Sequence, residues 1–340
     1  MGPEGTIRSI RPSGGIPWSS APFFASPRCD DGSLANPWGI EAAPSAADTL
    51  RYKASRSAWA MDKKLLGFDP LVESHAPSRW RQGCKGARIS WLGHSSVLVD
   101  VDNVVVLVDP VFGNAGSWKR KAPQAWPIKA LPRVDAVLIS HASPDHFDRP
   151  TLKTLRERFG PEMTIIVPLG LAARLPKNCR ENVIELDWWQ GTPVRGVEMC
   201  FVPAQHWDRR GAFDTEDALW GGWVVRGSRS VYHSGATGWF GGFKAIGLVF
   251  PTLDVACLPI GGWAPRWFLD KRHLDPAQAV RAFRVVGARR FVAMHHGTFD
   301  LTDEPLDEGH RHLIAAVEKK GLDLDRFHVL GHGATLSFAE

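Results

Sequence analysis

Two histidines and an aspartate stand close together directly after a short apolar segment of the chain. The segment, residues 134–139, is rich in β-branched residues and therefore predicts a buried strand. His141, Asp145 and His146 follow it, and a helix introduced by a proline is predicted over 151–158. The group thus lies in the loop where a strand ends, which is where rigid scaffolds usually present reactive side chains.

The donor types in this loop narrow its chemistry. Neutral imidazole nitrogen and carboxylate oxygen together suit zinc or another first-row divalent metal. Taken alone, two histidines four residues apart around an aspartate also fit a surface loop that only carries polar residues. The segments around the loop favour the metal site.

The segment 139–148 resembles the His-x-His-x-Asp-His signature of the metallo-β-lactamase superfamily. More narrowly, the chain is similar to the branch that contains the phospholipase D acting on N-acylphosphatidylethanolamine and its bacterial relatives. The resemblance covers roughly residues 30–310. It rests on further segments in the family's order: 36–38, 91–96, 108–110, 185–189, 203–207, 219–222, 235–238, 259–261, 265–268, 273–276 and 294–299.

The resemblance implies a fold and a ligand set. The fold is α/β, an αββα sandwich of two mixed sheets with helices outside, and five residues are implied as metal ligands: His141, Asp145, His146, His206 and His295. Two further ligand positions are substituted, because Ser143 stands where a histidine is expected and Ala236 stands where a bridging aspartate is expected. Serine is a poor zinc ligand and alanine is none. We therefore expect one divalent metal per chain at Asp145, His146 and His295, most simply Zn²⁺, with iron and manganese as alternatives.

Other polar residues near the motif have two interpretations each. His94 either faces the site as a donor to a metal ligand or makes a structural hydrogen bond. By resemblance, Asp109 supports the metal histidines and His273 lines the pocket. His233 is a candidate substitute for the missing aspartate, but strand alternation favours the opposite face.

These residues predict a metal-dependent hydrolase of an ester or phosphodiester, lipid-like substrates included. The predicted catalytic residues are Asp145, His141, His206 and Arg266. The last is a candidate clamp for an anion, with a buried structural ion pair as the alternative. Two other hypotheses remain: a pseudoenzyme kept as a binding or regulatory module, and a mononuclear enzyme repurposed for oxygenase-type chemistry, since two histidines and a carboxylate also form the facial triad of non-haem iron enzymes.

Composition limits the partners. The net charge is +5 and the pI about 9.0, which favours an anionic substrate or peripheral contact with a membrane surface, whereas no nucleic-acid-binding motif is found. The 15 tryptophans either pack against the sheets or form a substrate-contacting wall. The five scattered cysteines indicate no disulfide framework, and neither a secretory signal nor a membrane span is recognisable. We therefore expect a cytoplasmic protein.

The chain is predicted as an irregular N-terminal arm over 1–45 and a single domain over 46–340. Helices are predicted over 45–66 and 276–286, besides the one at 151–158. Strands are predicted by apolar runs and alternation over 88–92, 96–101, 104–108, 164–168, 182–186, 199–203, 219–226, 230–234, 254–260 and 290–294.

Overall fold

Two mixed β-sheets form the body of the protein. The computed structural model describes residues 6–12, 15, 18–30, 32–41, 43–55, 60, 63, 67–73, 80, 86–207 and 218–338. The strands are β1 (Arg8–Ser9), β2 (Ala87–Gly93), β3 (Ser96–Val101), β4 (Val104–Val108), β5 (Ala136–Leu138), β6 (Thr164–Pro168), β7 (Val183–Leu186), β8 (Gln190–Val194), β9 (Val197–Val202), β10 (Gly222–Arg226), β11 (Ser230–His233), β12 (Val255–Pro259), β13 (Arg290–Met294), β14 (Phe327–His328) and β15 (Thr335–Phe338). The α-helices are α1 (Ala46–Ala54), α2 (Arg149–Phe159), α3 (Gly242–Val249), α4 (Arg266–Leu269), α5 (Pro276–Val286) and α6 (Glu308–Lys319).

The strands form two sheets, and the first and last strands each join the sheet formed mainly by the other half of the chain. One sheet runs β15-β2-β3-β4-β5-β6-β7, and the other runs β1-β8-β9-β10-β11-β12-β13-β14. In each sheet an antiparallel part continues into a parallel part: β4, β5, β6 and β7 are parallel in the first, and β11, β12, β13 and β14 in the second. The carboxyl ends of parallel strands meet at one edge of a sheet, so the loops that follow them are brought together.

Alternation along β4 shows how the layers are built. Val104, Val106 and Val108 join a core cluster that contains both sheets, whereas Val105 and Leu107 join a second cluster with residues of α2. Successive side chains of a strand point to opposite faces, so one face of this sheet meets the other sheet and the opposite face is covered by a helix. The predicted αββα sandwich is confirmed.

Capping residues define the start of helices α2 and α5 and the end of α5. Asp148 caps α2 by accepting a hydrogen bond from the Thr151 amide, so the site loop leads directly into the helix. Asp275 and Gln278 form a reciprocal capping box at the start of α5, and Gly287 ends that helix in the left-handed conformation with φ +74°.

The start of the chain departs from the prediction in one respect. Helix α1 ends at Ala54, because Ser55 is already extended with φ −93° and ψ 125°. The predicted continuation toward residue 66 lies mostly outside the described residues. The described parts of the arm pack against the body: β1 pairs with β8, and Phe24 stacks on Trp189 with ring centroids 4.5 Å apart. No helix in the described ranges is both long and apolar enough to span a bilayer.

Candidate metal centre

The candidate site is built at strand ends from both sheets. His94 follows β2, Asp109 follows β4, and the loop with His141, Asp145 and His146 follows β5. From the other sheet, His206 comes after β9 and His295 directly after β13. All of these side chains are buried.

Three of these residues adopt a backbone conformation that L-residues rarely take. The φ angles are +50° at His94, +45° at Asp109 and +61° at His295. Such left-handed residues outside glycine cost free energy and are found preferentially at functional sites. Each one lies where its strand ends, so the unusual conformation falls at the residues that form the site.

The imidazole rings converge. The ring centroid of His141 lies 4.1 Å from that of His146 and 4.6 Å from that of His206. The centroids of His146 and His295 are 5.4 Å apart, and Asp145 Oδ2 lies 3.5 Å and 3.7 Å from the Nε2 atoms of these two rings. The structure therefore brings the five residues predicted as ligands into one cleft.

Hydrogen bonds at the far side of two rings set their orientation. His146 Nδ1 lies 2.7 Å from Asp109 Oδ2, and His295 Nδ1 lies 3.2 Å from the Gly261 carbonyl oxygen. Since those oxygens only accept, each Nδ1 donates to its oxygen, which leaves Nε2 as the ring atom available to a metal beside Asp145. Both Nε2 atoms are buried with no hydrogen-bond partner among the described residues.

The charge state of the group suits a cation. Burial raises the pKa of Asp145, but His146 and the hydrogen bond from His94 outweigh it and leave the pKa well below its usual range. Burial lowers the pKa of His295, and of His94 despite its contact with Asp145. The pKa of His146 is raised, because Asp145 and Asp109 overcome the effect of burial. An ionised carboxylate thus faces two rings that favour the neutral form and one, His146, whose extra proton a bound metal would displace.

His141 and His206 form a second pair of imidazoles in the cleft, next to His146. His206 Nδ1 lies 2.6 Å from the Trp207 carbonyl oxygen, and His141 Nδ1 lies 2.9 Å from Ser140 Oγ. Burial lowers the pKa of His206 to about 3 and that of His141 well below its usual value. Neither belongs to the group of four residues whose ligand atoms lie within 4.8 Å of one another: His94, Asp145, His146 and His295.

The side chains at the two substituted positions, Ser143 and Ala236, do not act as substitutes for the expected metal ligands. Ser143 donates a hydrogen bond to Asp145 Oδ1, and Ala236 lines the cleft with a methyl group. His233 does not replace the missing aspartate, because its Nε2 donates to the Ser95 carbonyl at 2.9 Å and its Nδ1 accepts from the Gly235 amide at 3.2 Å. Both ring nitrogens are thereby used within the fold.

The cleft opens into a cavity of about 300 Å³. Part of its wall is aromatic, formed by Tyr52, Trp118, Trp207 and Phe268, and Arg272 and His273 also line it. Arg266, the predicted anion clamp, does not line this cavity: its guanidinium donates to the His273 carbonyl at 2.8 Å and to Gln278 Oε1 at 3.1 Å. Those contacts favour the structural interpretation of Arg266. Arg272 was missed, although its place directly before a pocket histidine was a usable signal.

A family model described as a β-lactamase superfamily domain matches residues 105–296, more than half of the chain. The chain belongs to the metallo-β-lactamase superfamily. The matched span starts within β4 and ends one residue after His295, so it contains all five residues predicted as ligands but not His94.

Relatives in this superfamily are similar over most of the chain. N-acyl-phosphatidylethanolamine-hydrolyzing phospholipase D 1 of Caenorhabditis elegans is 33% identical over 257 residues, covering 71% of this chain and 72% of that protein. A metal-dependent hydrolase of Methanopyrus kandleri is 30% identical over 242 residues, 70% of this chain and 94% of the other. The solved structure of a metallo hydrolase from Ignicoccus hospitalis has the same fold, with a TM-score of 0.59 and 24% identity over 75% of this chain and 99% of its own.

Proposed function

We propose that this superfamily member is a metal-dependent hydrolase of an anionic ester or phosphodiester with lipid-like substituents, and that it works with one metal per chain. Relatives named as metal-dependent hydrolases and as a phospholipase D support the class of reaction. The metal is Zn²⁺ in the simplest case, with iron or manganese as alternatives.

One observation carries the proposal. The Nε2 atoms of His146 and His295 are buried, have no hydrogen-bond partner among the described residues, and face the ionised carboxylate of Asp145. Leaving buried polar atoms unpaired costs about 1–3 kcal/mol each, so their arrangement supports a metal ion as their partner. A divalent metal held by these atoms would lower the pKa of a bound water and polarise the bond to be cleaved.

A single metal follows from the donors that remain. Within the part of the chain that the structure describes, His141 and His206 belong to no group of three candidate ligands, since Ser143 is bonded to Asp145 and Ala236 offers no ligand atom. Two imidazoles alone make a weak site for zinc, which prefers at least three protein ligands. These two neutral rings are better suited to hold the attacking water and to contact a substrate oxygen.

The chain's own groups account for binding and proton transfer. Arg272 lines the cavity, and burial lowers its pKa to about 10, so it stays cationic at neutral pH and suits a phosphate or carboxylate oxygen. In hydrolysis the water oxygen bonds to phosphorus or to the carbonyl carbon, the bond to the leaving oxygen breaks, and the proton of the water ends on that oxygen. In this proposal His141 and His206, whose ring centroids lie 4.6 Å apart in the cleft, relay the proton.

The aromatic wall supports a substrate with apolar substituents. Tyr52 and Phe268 stack with ring centroids 4.4 Å apart, and the Arg272 guanidinium lies 4.2 Å from the Phe268 centroid. Trp118, which is 44% exposed, also lines the cavity. A cationic group set among apolar rings matches a molecule with an anionic head and a hydrocarbon part. Peripheral contact with a membrane would present such a molecule to the cavity.

Metal analysis and activity on one generic substrate test this proposal. Protein purified without chelator should hold close to one metal per chain and hydrolyse bis(4-nitrophenyl) phosphate. Asp145→Asn should lose both properties. Arg272→Gln should raise KM at least tenfold with metal retained, whereas Arg281→Gln should not, because Arg281 stacks on Trp239 and does not line the cavity.

Three outcomes would contradict the proposal. Close to two tightly held metals would refute the single-metal site. No metal after reconstitution would favour the pseudoenzyme hypothesis. Metal-dependent consumption of dioxygen without hydrolysis of esters or phosphodiesters would favour the oxygenase hypothesis.

A further inference from the structure

His94 lies closer to the Asp145 carboxylate than either predicted histidine ligand does. Its Nε2 is 2.9 Å from Asp145 Oδ2, compared with 3.5 Å for His146 Nε2 and 3.7 Å for His295 Nε2. The candidate ligand atoms of all four residues lie within 4.8 Å of one another, and all four residues are buried. His94 thus belongs to the metal group by position.

We propose that His94 is a fourth protein ligand of the metal, so that the centre consists of three imidazoles and one carboxylate. This inference rests on the proposed function in so far as that function places a metal at Asp145, His146 and His295. It adds a ligand from the turn after β2, outside the loop motifs that led to the other three.

The spacing of the donors is that of a small coordination sphere. Zinc bonds of about 2.0–2.2 Å to nitrogen and oxygen place tetrahedral ligand atoms about 3.3–3.5 Å apart. The three distances from Asp145 Oδ2 to the imidazole nitrogens lie on either side of that value. His94 and His295 also face each other closely, with ring centroids 4.1 Å apart. All pairs of candidate ligand atoms lie within 4.8 Å, so the four donors would move closer together around one ion.

The backbone of His94 is held from three sides. Its amide donates to Thr298 Oγ1 at 2.6 Å, and its carbonyl accepts from the His295 amide at 2.8 Å and from Trp91 Nε1 at 2.7 Å. Together with the left-handed φ of +50°, these bonds fix the direction of the side chain. The ring is therefore aimed at the carboxylate before any metal binds.

One feature distinguishes His94 from the other two histidines. Its Nδ1 has no hydrogen-bond partner among the described residues, whereas Nδ1 of His146 and of His295 each faces an oxygen acceptor. An outer hydrogen bond makes an imidazole a stronger ligand and fixes its orientation. His94 is accordingly the ligand that exchanges most readily.

The fourth ligand has a consequence for the choice of metal. Four protein ligands fill a zinc tetrahedron, and catalytic zinc sites normally keep one position open. Zinc would then need a fifth position or the departure of His94 to bind water, whereas manganese or iron would keep positions open beside the four ligands. Substituting His94 should therefore shift the relative affinities for zinc and manganese as well as weaken binding.

The competing role for His94 is that of a positioning residue that only donates a hydrogen bond to Asp145. Glutamate and glutamine distinguish the two roles, because they have the same shape. Glutamine keeps an N–H donor for Asp145 but is a poor ligand; glutamate offers a ligand oxygen but no donor. A ligand role predicts that His94→Glu binds metal more tightly than His94→Gln, and a positioning role predicts the reverse order.

The experiment uses the full chain loaded with one equivalent of zinc or manganese. X-ray absorption at the metal edge should count three imidazoles in the unmodified protein and two in His94→Gln, and the zinc affinity of His94→Gln should fall more than 100-fold. His332→Gln serves as the matched control, since it replaces a buried histidine whose hydrogen bond goes to Thr298 and whose ring packs against Trp91. Unfolding of each metal-free variant checks that the fold is kept.

Two imidazoles in the unmodified protein, or tighter binding by His94→Gln than by His94→Glu, would overturn the inference and leave the proposed function intact. Failure of the unmodified protein to bind metal at all would instead refute the proposed function.

Discussion

Replacing Asp109 by asparagine should weaken metal binding without touching a ligand. Asp109 is fully buried, and its Oδ1 accepts from the Ser140 amide at 2.7 Å. Its Oδ2 accepts from Ser140 Oγ at 2.6 Å and from His146 Nδ1 at 2.7 Å. Asparagine retains one oxygen, which keeps the first bond, but it presents an NH₂ group where the other two donors point.

The magnitude follows from those two bonds. Hydrogen bonds to a charged group contribute about 1.5–3 kcal/mol each, so losing both would cost about 3–6 kcal/mol. His146 can recover one bond by accepting from the new NH₂ group, which reduces the expected loss of folding free energy to about 2–4 kcal/mol. The same change moves the ring proton to Nε2, the ligand atom. Zinc affinity should therefore fall about 10- to 100-fold.

The assay measures zinc affinity by competition with a chelator and stability by urea unfolding of the metal-free protein. Asp100→Asn is the matched control, because Asp100 is a buried carboxylate in the same sheet that pairs with Arg88 at 2.8 Å. It should lose stability but keep its zinc affinity. Unchanged affinity in Asp109→Asn, or an equal loss in Asp100→Asn, would refute the orienting role of Asp109.

Three further predictions follow from particular contacts. Combining Ser143→His with Ala236→Asp should add a second tightly bound metal by elemental analysis, and a count that stays near one would contradict the assignment of these positions. Glu304 accepts hydrogen bonds from the amides of Gly262, Trp263 and Ala264, so Glu304→Gln should lower the free energy of unfolding in urea by about 2 kcal/mol. It should also weaken zinc binding, because the same loop contains Gly261, whose carbonyl accepts from His295. Burial lowers the pKa of His296 to about 3 and that of His332 to about 4, so the unfolded chain takes up protons first as the pH falls below about 6.5. Each of these two histidines should therefore lower the free energy of unfolding by about 2 kcal/mol between pH 7 and pH 5. In urea unfolding, His332→Gln should lose the contribution of His332 to this pH dependence. The same pH dependence in His332→Gln as in the unmodified protein would contradict the prediction.

Local pattern was enough to place most of the strands. The apolar, β-branched runs at Val104–Val108 and Thr164–Pro168 became β4 and β6 with the predicted bounds. Helix α5 also has its predicted bounds, because an aspartate cap and a first-turn proline define its start. Helix α1 was predicted too long, because Ser55 is extended and ends the helix. None of the side chains of α1 is buried, so tertiary packing does little to prolong the helix, and a run of helix-forming residues does not show this.

The site was predictable only in part, because part of it depends on long-range contacts. Asp145 and His146 are neighbours in sequence, and the resemblance supplied His295. The contact between His94 and Asp145 joins residues 51 positions apart, and only the pairing of the strands brings them together. Arg266 and Arg272 lie in one short segment, yet their side chains take different directions, and sequence spacing does not contain that information.

The hydrogen bond from the His295 amide to the His94 carbonyl joins a strand end of one sheet to a strand end of the other. An ion held by side chains of both residues would act as a cross-link between the two halves of the sandwich. At a free concentration 100 times its Kd, such an ion stabilises the native state by about 2.7 kcal/mol, a sizeable fraction of the stability of a typical domain. Selection for a folded chain is then sufficient to retain these ligands. Their presence in a related sequence therefore indicates metal-dependent folding, and catalytic activity needs separate evidence.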